Sequence, residues 1–424
     1  MPPVIEAHFF APDDVNGDTI FECSTDDPFV KGIKLDIQRD KLGSGQITFA
    51  RRVPTTPGLF TPQVVQPEVF VRYLIPSIDS THYLWGNFIG PRQQKVISKA
   101  ESGGEGFTFG GPGPKFYLTR MILWSASFSG QDAAVDRDAG LWTWPETAKL
   151  GRIFGRLLQE EQDNPHGPFL PDLTASFGDV NDSNGDPWVD DVAGTEDFTL
   201  NIQDDYLKIL WALENESDLV SNMNLGTVSN PLMQLGLYQS FGRDLTGDVG
   251  DPDAVHFIEG QRIVSGPGNI ASDLDVEGES LKKGTHALVK GSDGIYHFVA
   301  SPDFVPGEYK KVVPVDYSSS ANTNTLDRAG KRYLRRQRGQ ERGIKLKIVT
   351  GVTPEDGLYV PGFDGTNGHF WLSDTVSLTT GIDPNQTELD YDAEDQLVTG
   401  IQIELAKAVR SDDATTAARS LVVT

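Results

Sequence analysis

Apolar and polar residues alternate with a period of two through much of the first 130 positions. Ile33, Leu35 and Ile37 alternate with Lys34, Asp36 and Gln38. Ile47, Phe49 and Val53 fit the same period around the turn signal Gly43-Ser44-Gly45. In Pro67–Pro76 the residues Val69, Val71, Tyr73 and Ile75 share one face. This is the period of a strand with one side buried. The Gly-rich run Gly103–Pro114 ends in an apolar stretch, Phe116–Trp124, that suits a strand or a short helix.

Between 141 and 217 the period changes. Leu150, Ile153, Phe154, Leu157 and Leu158 fall at i, i+3, i+4, i+7 and i+8, one stripe of an amphipathic helix. Thr143 with Glu146 resembles a capping box ahead of it, and Pro145 is tolerated in a first turn. A second helix is predicted around Asp205–Asn215, with Tyr206, Ile209, Leu210 and Leu213 on one side. The long connection between them holds four prolines (165, 168, 171 and 187). A loop of that length inside a domain is usually functional or a linker.

Short strands return after 218. Ile295, His297 and Val299 alternate, as do Ile344, Leu346 and Ile348. Leu397, Thr399, Ile401, Ile403 and Leu405 give the cleanest strand pattern in the chain. One basic helix, about Thr325–Gln337, interrupts them. No fixed-period repeat is present. The fold class expected is mainly β with a smaller helical region. The expected division is an N-terminal β domain at 1–140, a helical region with an acidic, Pro-rich loop at 141–217, a β domain at 218–326, and a basic helix with a C-terminal β domain at 327–424.

Composition narrows the function. A chain of 424 residues is long enough for several domains. Its 44 Gly and 26 Pro favour many short strands. The single cysteine, Cys23, excludes an intramolecular disulfide framework and a Cys-rich zinc site. A net charge of −25 argues against a protein that grips nucleic acid, which needs clustered Lys and Arg. It does not argue against a surface that nucleic acid passes without sticking. The opening MPPVIEAHFF lacks a basic n-region and a long apolar core, so no signal peptide is expected. No window has the length of a membrane span.

The charge is unevenly placed. Arg328–Lys347 holds nine Lys and Arg against Glu341 alone, a local net of +8, so the remainder carries −33. Cations near a helix C-terminus are favoured by its dipole, and Gly339 suits a cap. The run is either a solvated helix face or an electrostatic contact with an acidic neighbour, such as the next copy of this chain. Arg328, Arg332, Arg335 and Arg336 are the candidate interface residues. At the other extreme, Asp179–Asp205 holds nine Asp and Glu and no Lys or Arg.

No catalytic signature is found: no G-x-S-x-G, H-E-x-x-H, C-x-x-C or Walker loop. The stretch Gly110-Gly111-Pro112-Gly113-Pro114-Lys115 lacks the Gly-Lys-Ser/Thr ending, and its prolines remove N–H donors, so it reads as a structural turn. Asp182, Asn184, Gly185 and Asp186 mimic positions 3, 5, 6 and 7 of a calcium loop, but Val180 and Asp191 fall where a carboxylate and a Glu are wanted. A solvated acidic loop is the expectation over a calcium site. His297 and His369 sit in strand-like runs and suit core-edge or solvent positions better than ligation. Paired carboxylates and Trp142, Trp144, Trp188 and Trp211 leave a glycan-active or glycan-binding protein as an alternative. No catalytic, cofactor or metal residue is assigned.

The order of segments carries the strongest signal. Asp27-Pro28-Phe29-Val30-Lys31-Gly32-Ile33 is followed by Gly43-Ser44-Gly45-Gln46-Ile47-Thr48-Phe49, Val69-Phe70-Val71-Arg72 and Leu84-Trp85-Gly86-Asn87-Phe88-Ile89. Gly111-Pro112-Gly113, Leu210-Trp211-Ala212-Leu213 and Gly242-Arg243-Asp244-Leu245 come next. Ala329-Gly330-Lys331-Arg332-Tyr333-Leu334 precedes the closing Phe370-Trp371-Leu372-Ser373-Asp374-Thr375-Val376. This succession resembles the tail-hub, or minor tail, proteins of long-tailed phages, especially those infecting actinobacteria. Ser373 departs from the pattern, which usually carries Gly before Asp, so the turn there is expected to differ.

The resemblance implies tail-tube-like β-barrel or sandwich domains in a multidomain hub, and a structural rather than enzymatic role. It implies a homotrimer at the virion tail tip, two tube-like domains per subunit, and a channel that opens for DNA. Its partners would be the distal tail protein, the tape-measure protein and receptor-binding or other minor tail proteins. A distal tail ring protein is the neighbouring alternative. The net charge adds the expectation that acidic surface lines part of the channel.

Overall fold

The alternating segments do form strands. The computed structural model describes residues 4–50, 68–97, 106–122, 134–162, 172–189, 198–246, 254–258, 270–277, 284–317, 323–338, 343–348, 360–361, 367–368, 371–379, 394–407 and 417–423, with short breaks inside the longer spans. The chain is mainly β with a smaller helical part. Val53 and His369 lie outside the described residues.

The largest sheet has eight antiparallel strands in the order Ile270–Glu277, Gly343–Ile348, Ala417–Val423, Gly400–Lys407, Val30–Gln38, Ser44–Ala50, Gly106–Pro112 and Gln94–Ile97. Its centre joins the two ends of the chain: Ile401 pairs with Ile37, and Ile403 with Leu35. Ile33, Leu35, Ile37, Ile47, Phe49, Ile401 and Ile403 are buried on one face. The other face is polar, with Lys34, Gln46 and Ser44 exposed and Asp36, Gln402 and Glu404 half-buried.

A four-stranded antiparallel sheet, Phe21–Ser24, Glu6–Phe10, Val69–Pro76 and His82–Ile89, packs on the apolar face. Val69, Val71, Tyr73 and Ile75 meet the large sheet, as their alternation predicts. The opposite face is buried as well, because Phe10, Phe70 and Phe88 join a second core with the helices. The result is a three-layer stack of sheet, sheet and helical layer.

The helical layer contains α1 (Leu150–Gln162) and α2 (Tyr206–Glu216). All five residues of the predicted α1 stripe are buried. Asp205 caps α2 by accepting a hydrogen bond from the Lys208 amide at 2.9 Å. Phe116–Trp124 resolves in part as a short 3₁₀ helix, Pro114–Arg120. Thr143, expected to open a capping box, is not at the N-terminus of α1, which begins at Leu150. Thr143 sits in the strand Leu141–Trp144, paired with Thr199 and Ala134, and ladder pairing overrides the local signal.

The pattern Leu397–Leu405 is likewise two elements. Leu397 ends the strand Glu394–Leu397 of a separate three-stranded sheet, and the next strand begins at Gly400. Between them Val398 bonds out of line: its N–H donates to Asp374 O at 2.9 Å, and its carbonyl accepts from the Ser373 N–H at 2.8 Å.

The third helix, α3 (Thr323–Arg338), matches the predicted basic helix. It lies on a small sheet ordered Tyr296–Ala300, His286–Lys290 and Val312–Asp316. Ala287, Val289, Val299, Leu326 and Leu334 form the buried core between helix and sheet. Gly330 is required there, since a Cβ would lie 2.6 Å from a Val299 methyl.

Candidate functional site

Several of the segments quoted for the resemblance meet in two seams, and both are packing devices. In the first, the Trp85 indole stacks near Tyr73 with ring centroids 6.2 Å apart. A Cβ on Gly43, Gly45 or Gly113 would lie 3.0–3.2 Å from that indole. Gly43 also has φ +64, and a Cβ on Gly113 would lie 1.9 Å from Leu42 O, so these positions admit only hydrogen. Asn87 is fully buried behind Trp85 and donates to Gly45 O and Phe88 O, both at 3.3 Å. The Gly-rich run is thus a strand end and turn, as its prolines imply.

In the second seam, Asp374 is buried and accepts from the Arg243 N–H at 2.8 Å, from Arg243 Nη2 at 2.6 Å and from the Trp371 N–H at 2.7 Å. Such a forked guanidinium–carboxylate contact is directional and charge-assisted. Ser373 takes φ +70, the left-handed region where glycine is preferred. The turn therefore keeps the shape that a glycine suits, with serine carrying the strain. Gly242, at φ +106, passes so close that a Cβ would lie 1.7 Å from Ser373 O.

Where the layers converge, a cavity of about 210 Å³ is lined by Trp85, Lys115, Met223, Trp371 and Leu372, among others. Lys115 Nζ donates to Arg39 O at 3.2 Å and lies 3.8 Å from Glu214. Glu214 accepts from the Ser221 amide at 2.8 Å. The cavity lining contains Lys41 and Lys115 and no carboxylate, imidazole, thiol or hydroxyl. Lys115 fastens the 3₁₀ turn to α2.

Two further polar side chains are structural. Arg72 is 3% exposed, donates to Val15 O at 3.0 Å and lies 4.7 Å from the Phe10 ring centroid. Burial lowers its pKa to about 10. Asp182 is 2% exposed. Its Oδ1 accepts the amides of Asn184 at 2.9 Å and Asp186 at 3.0 Å, and its Oδ2 accepts the Gln239 amide at 3.1 Å. The calcium-like run is thus a side-chain-braced turn. Among the described residues no group of three His, Cys, Asp or Glu could hold a metal ion. Trp188 is buried against Gly151 and donates to Gly178 O at 2.9 Å, a core role. Among the described residues no helix is long and apolar enough to cross a membrane.

The candidate interface arginines occupy positions i, i+4, i+7 and i+8 of α3. Arg328 is exposed. For Arg332, Arg335 and Arg336 only the backbone is described. Beside them Lys331 pairs with Asp327 at 2.7 Å, and His297 Nε2 lies 3.5 Å from the same carboxylate.

Sequence reasoning missed the back of this unit. The face of the small sheet turned away from α3 exposes Leu288 (38%), Tyr296 (59%), Phe298 (54%) and Val312 (48%). The signal was available in Tyr296-His297-Phe298-Val299, which is apolar or aromatic on both faces.

No protein-family model and no curated sequence matches the chain. Its fold matches that of solved phage tail proteins along nearly its whole length. The 43 kDa tail protein of prophage MuSo2 from Shewanella oneidensis aligns with a TM-score of 0.53 at 12% identity, covering 99% of this chain and 96% of that one. A tail protein from Neisseria meningitidis MC58 aligns with a TM-score of 0.54 at 11% identity, again covering 99% and 96%. At such identities the likeness is one of fold: the chain has a phage-tail-protein fold.

Proposed function

We propose that this chain is a structural virion protein that forms a trimeric hub at the tip of a long, non-contractile phage tail. It joins the tail tube, through the distal tail protein and the tape measure, to the receptor-binding parts below. Its actinobacteriophage character rests on the segment order alone.

The observation that carries the reading is the open eight-stranded sheet. Among the described residues its two outer strands, Ile270–Glu277 and Gln94–Ile97, pair on one side only. An unpaired strand edge invites pairing with another chain, and ring closure removes it. The first edge strand carries Asp273, Asp275 and Glu277, and the second carries Lys95. Acidic edge against basic edge gives a head-to-tail contact between copies, the kind that closes a ring. Three such sheets would enclose a channel. We assign its wall to the sheet's polar face, where Lys34 and Glu404 are 3.6 Å apart. Asp36 lies on the same face, so its described charges include two carboxylates against one lysine, in keeping with a wall that is acidic in part. DNA would pass it for want of clustered cations.

Cryo-electron microscopy of purified virions tests the proposal. Three copies of this fold at the tail tip are expected. Sixfold density for this chain, or its absence from the tip, would contradict it.

A further inference from the structure

We infer that the outward face of α3 is a subunit contact that receives the acidic turn Asp179–Val189 of a second copy of this chain. The inference rests on the multi-copy hub reading above. Leu326, Ala329, Gly330 and Leu334 are buried and set the side of α3 that lies on its own small sheet. By helical periodicity the positions of Arg328, Arg332 and Arg335 fall on the opposite side, with Arg336 next to them. Arg328 is exposed, in keeping with that placement. The helix carries six Lys and Arg against Asp327, a net of +5. Asp327 itself is engaged on the flank, where it pairs with Lys331. The cations and the proposed contact therefore share one surface, and a basic surface selects an acidic partner.

Two observations identify the occupant. The first is charge. Residues 179–205 hold nine Asp and Glu and no Lys or Arg, and the turn presents Asp186 to solvent. The second is a preformed apolar feature in that same turn. The Asp182 N–H donates to Asp186 O at 2.8 Å and the Trp188 N–H to Val180 O at 3.0 Å, while the buried Asp182 carboxylate and Trp188 indole fasten the turn from within. This bracing leaves Val180 69% and Val189 50% exposed. A turn already held in shape loses little chain entropy on docking. On α3 the exposed Tyr333, one helical turn from Arg336, offers the valines an apolar seat beside the cations. Duplex DNA matches the stripe in charge, but the net charge of −25 opposes its approach. Turn and helix are different surfaces, so the contact is heterologous, the kind that repeats around a ring.

The test uses the full chain with Val180 replaced by photoreactive benzoylphenylalanine, mixing isotopically light and heavy copies. Cross-links are expected to join light to heavy chains and to land within 323–338. Arg328→Glu combined with Arg332→Glu is expected to weaken self-association by roughly 30-fold or more while the circular dichroism is unchanged. Adding Asp186→Lys to that variant is expected to recover part of the loss, which no folding defect would allow. Assembled trimers whose Val180 cross-links miss α3 or stay within one chain would overturn this contact and leave the hub reading standing. So would trimers indifferent to the arginine reversals, including the case in which those reversals abolish a gel shift of duplex DNA instead. Hexamers carrying the expected cross-links would overturn the trimer and keep the contact. A chain that stays monomeric at all concentrations overturns both.

Discussion

The three-layer stack and the α3 unit solve the same burial problem to different degrees. Among the described residues the two cores of the stack hold 27 and 24 buried apolar residues. The α3 unit holds five and exposes Leu288, Tyr296, Phe298 and Val312 on the other face of its sheet. Small cores supply little stability by themselves. The α3 unit therefore has far less buried apolar surface to hold it than the stack has. Charge follows the same division: the unit is positive and the rest of the chain negative.

Substitutions at the seams should damage the stack most. Gly242→Ala combines an unfavourable φ with a backbone clash at Ser373, and a loss of about 3–5 kcal/mol is expected in urea unfolding. An effect below about 1 kcal/mol would mean that the seam yields. Leu334→Ala removes a large fraction of the small core. It is expected to cost about 2–4 kcal/mol, read as faster amide exchange in His286–Lys290 with little change in Val30–Gln38. Equal acceleration in both strands would erase the distinction between the regions.

Smaller changes sharpen it. Ser373→Gly relieves left-handed strain and is expected to stabilise the stack by about 1 kcal/mol. Destabilisation would show that the serine side chain matters more than its backbone. Lys34→Gln breaks a pair that is nearly half exposed, so a change of at most about 0.5 kcal/mol is expected. Cys23 reports on the stack without any substitution. Burial, reinforced by Asp27, raises its pKa well above the ordinary thiol range, so alkylation at pH 8 should await opening of the core. Rapid stoichiometric labelling of the folded chain would contradict that.

Periodicity made single elements legible. The Ile33–Ile37 alternation, the α1 stripe and the basic α3 all correspond to observed elements, because each is fixed by burying one face. Partners were not legible. Nothing local in Ile401 or Ile403 says that they pair with Ile37 and Leu35 across the whole chain. Local signals also misled where long-range pairing prevailed, as at Thr143 and at Val398. The segment order pointed to the seams, and the structure gives its glycines and Asp374 a packing role. The exposed back of the small sheet went unread because attention to Ile295, His297 and Val299 captured only the buried phase of that strand.

Native mass spectrometry of the purified full-length chain addresses the central claim most directly. The account predicts one dominant assembly of three copies, about 139 kDa from three chains of 46.4 kDa. A stable monomer, or an assembly of six, would contradict it.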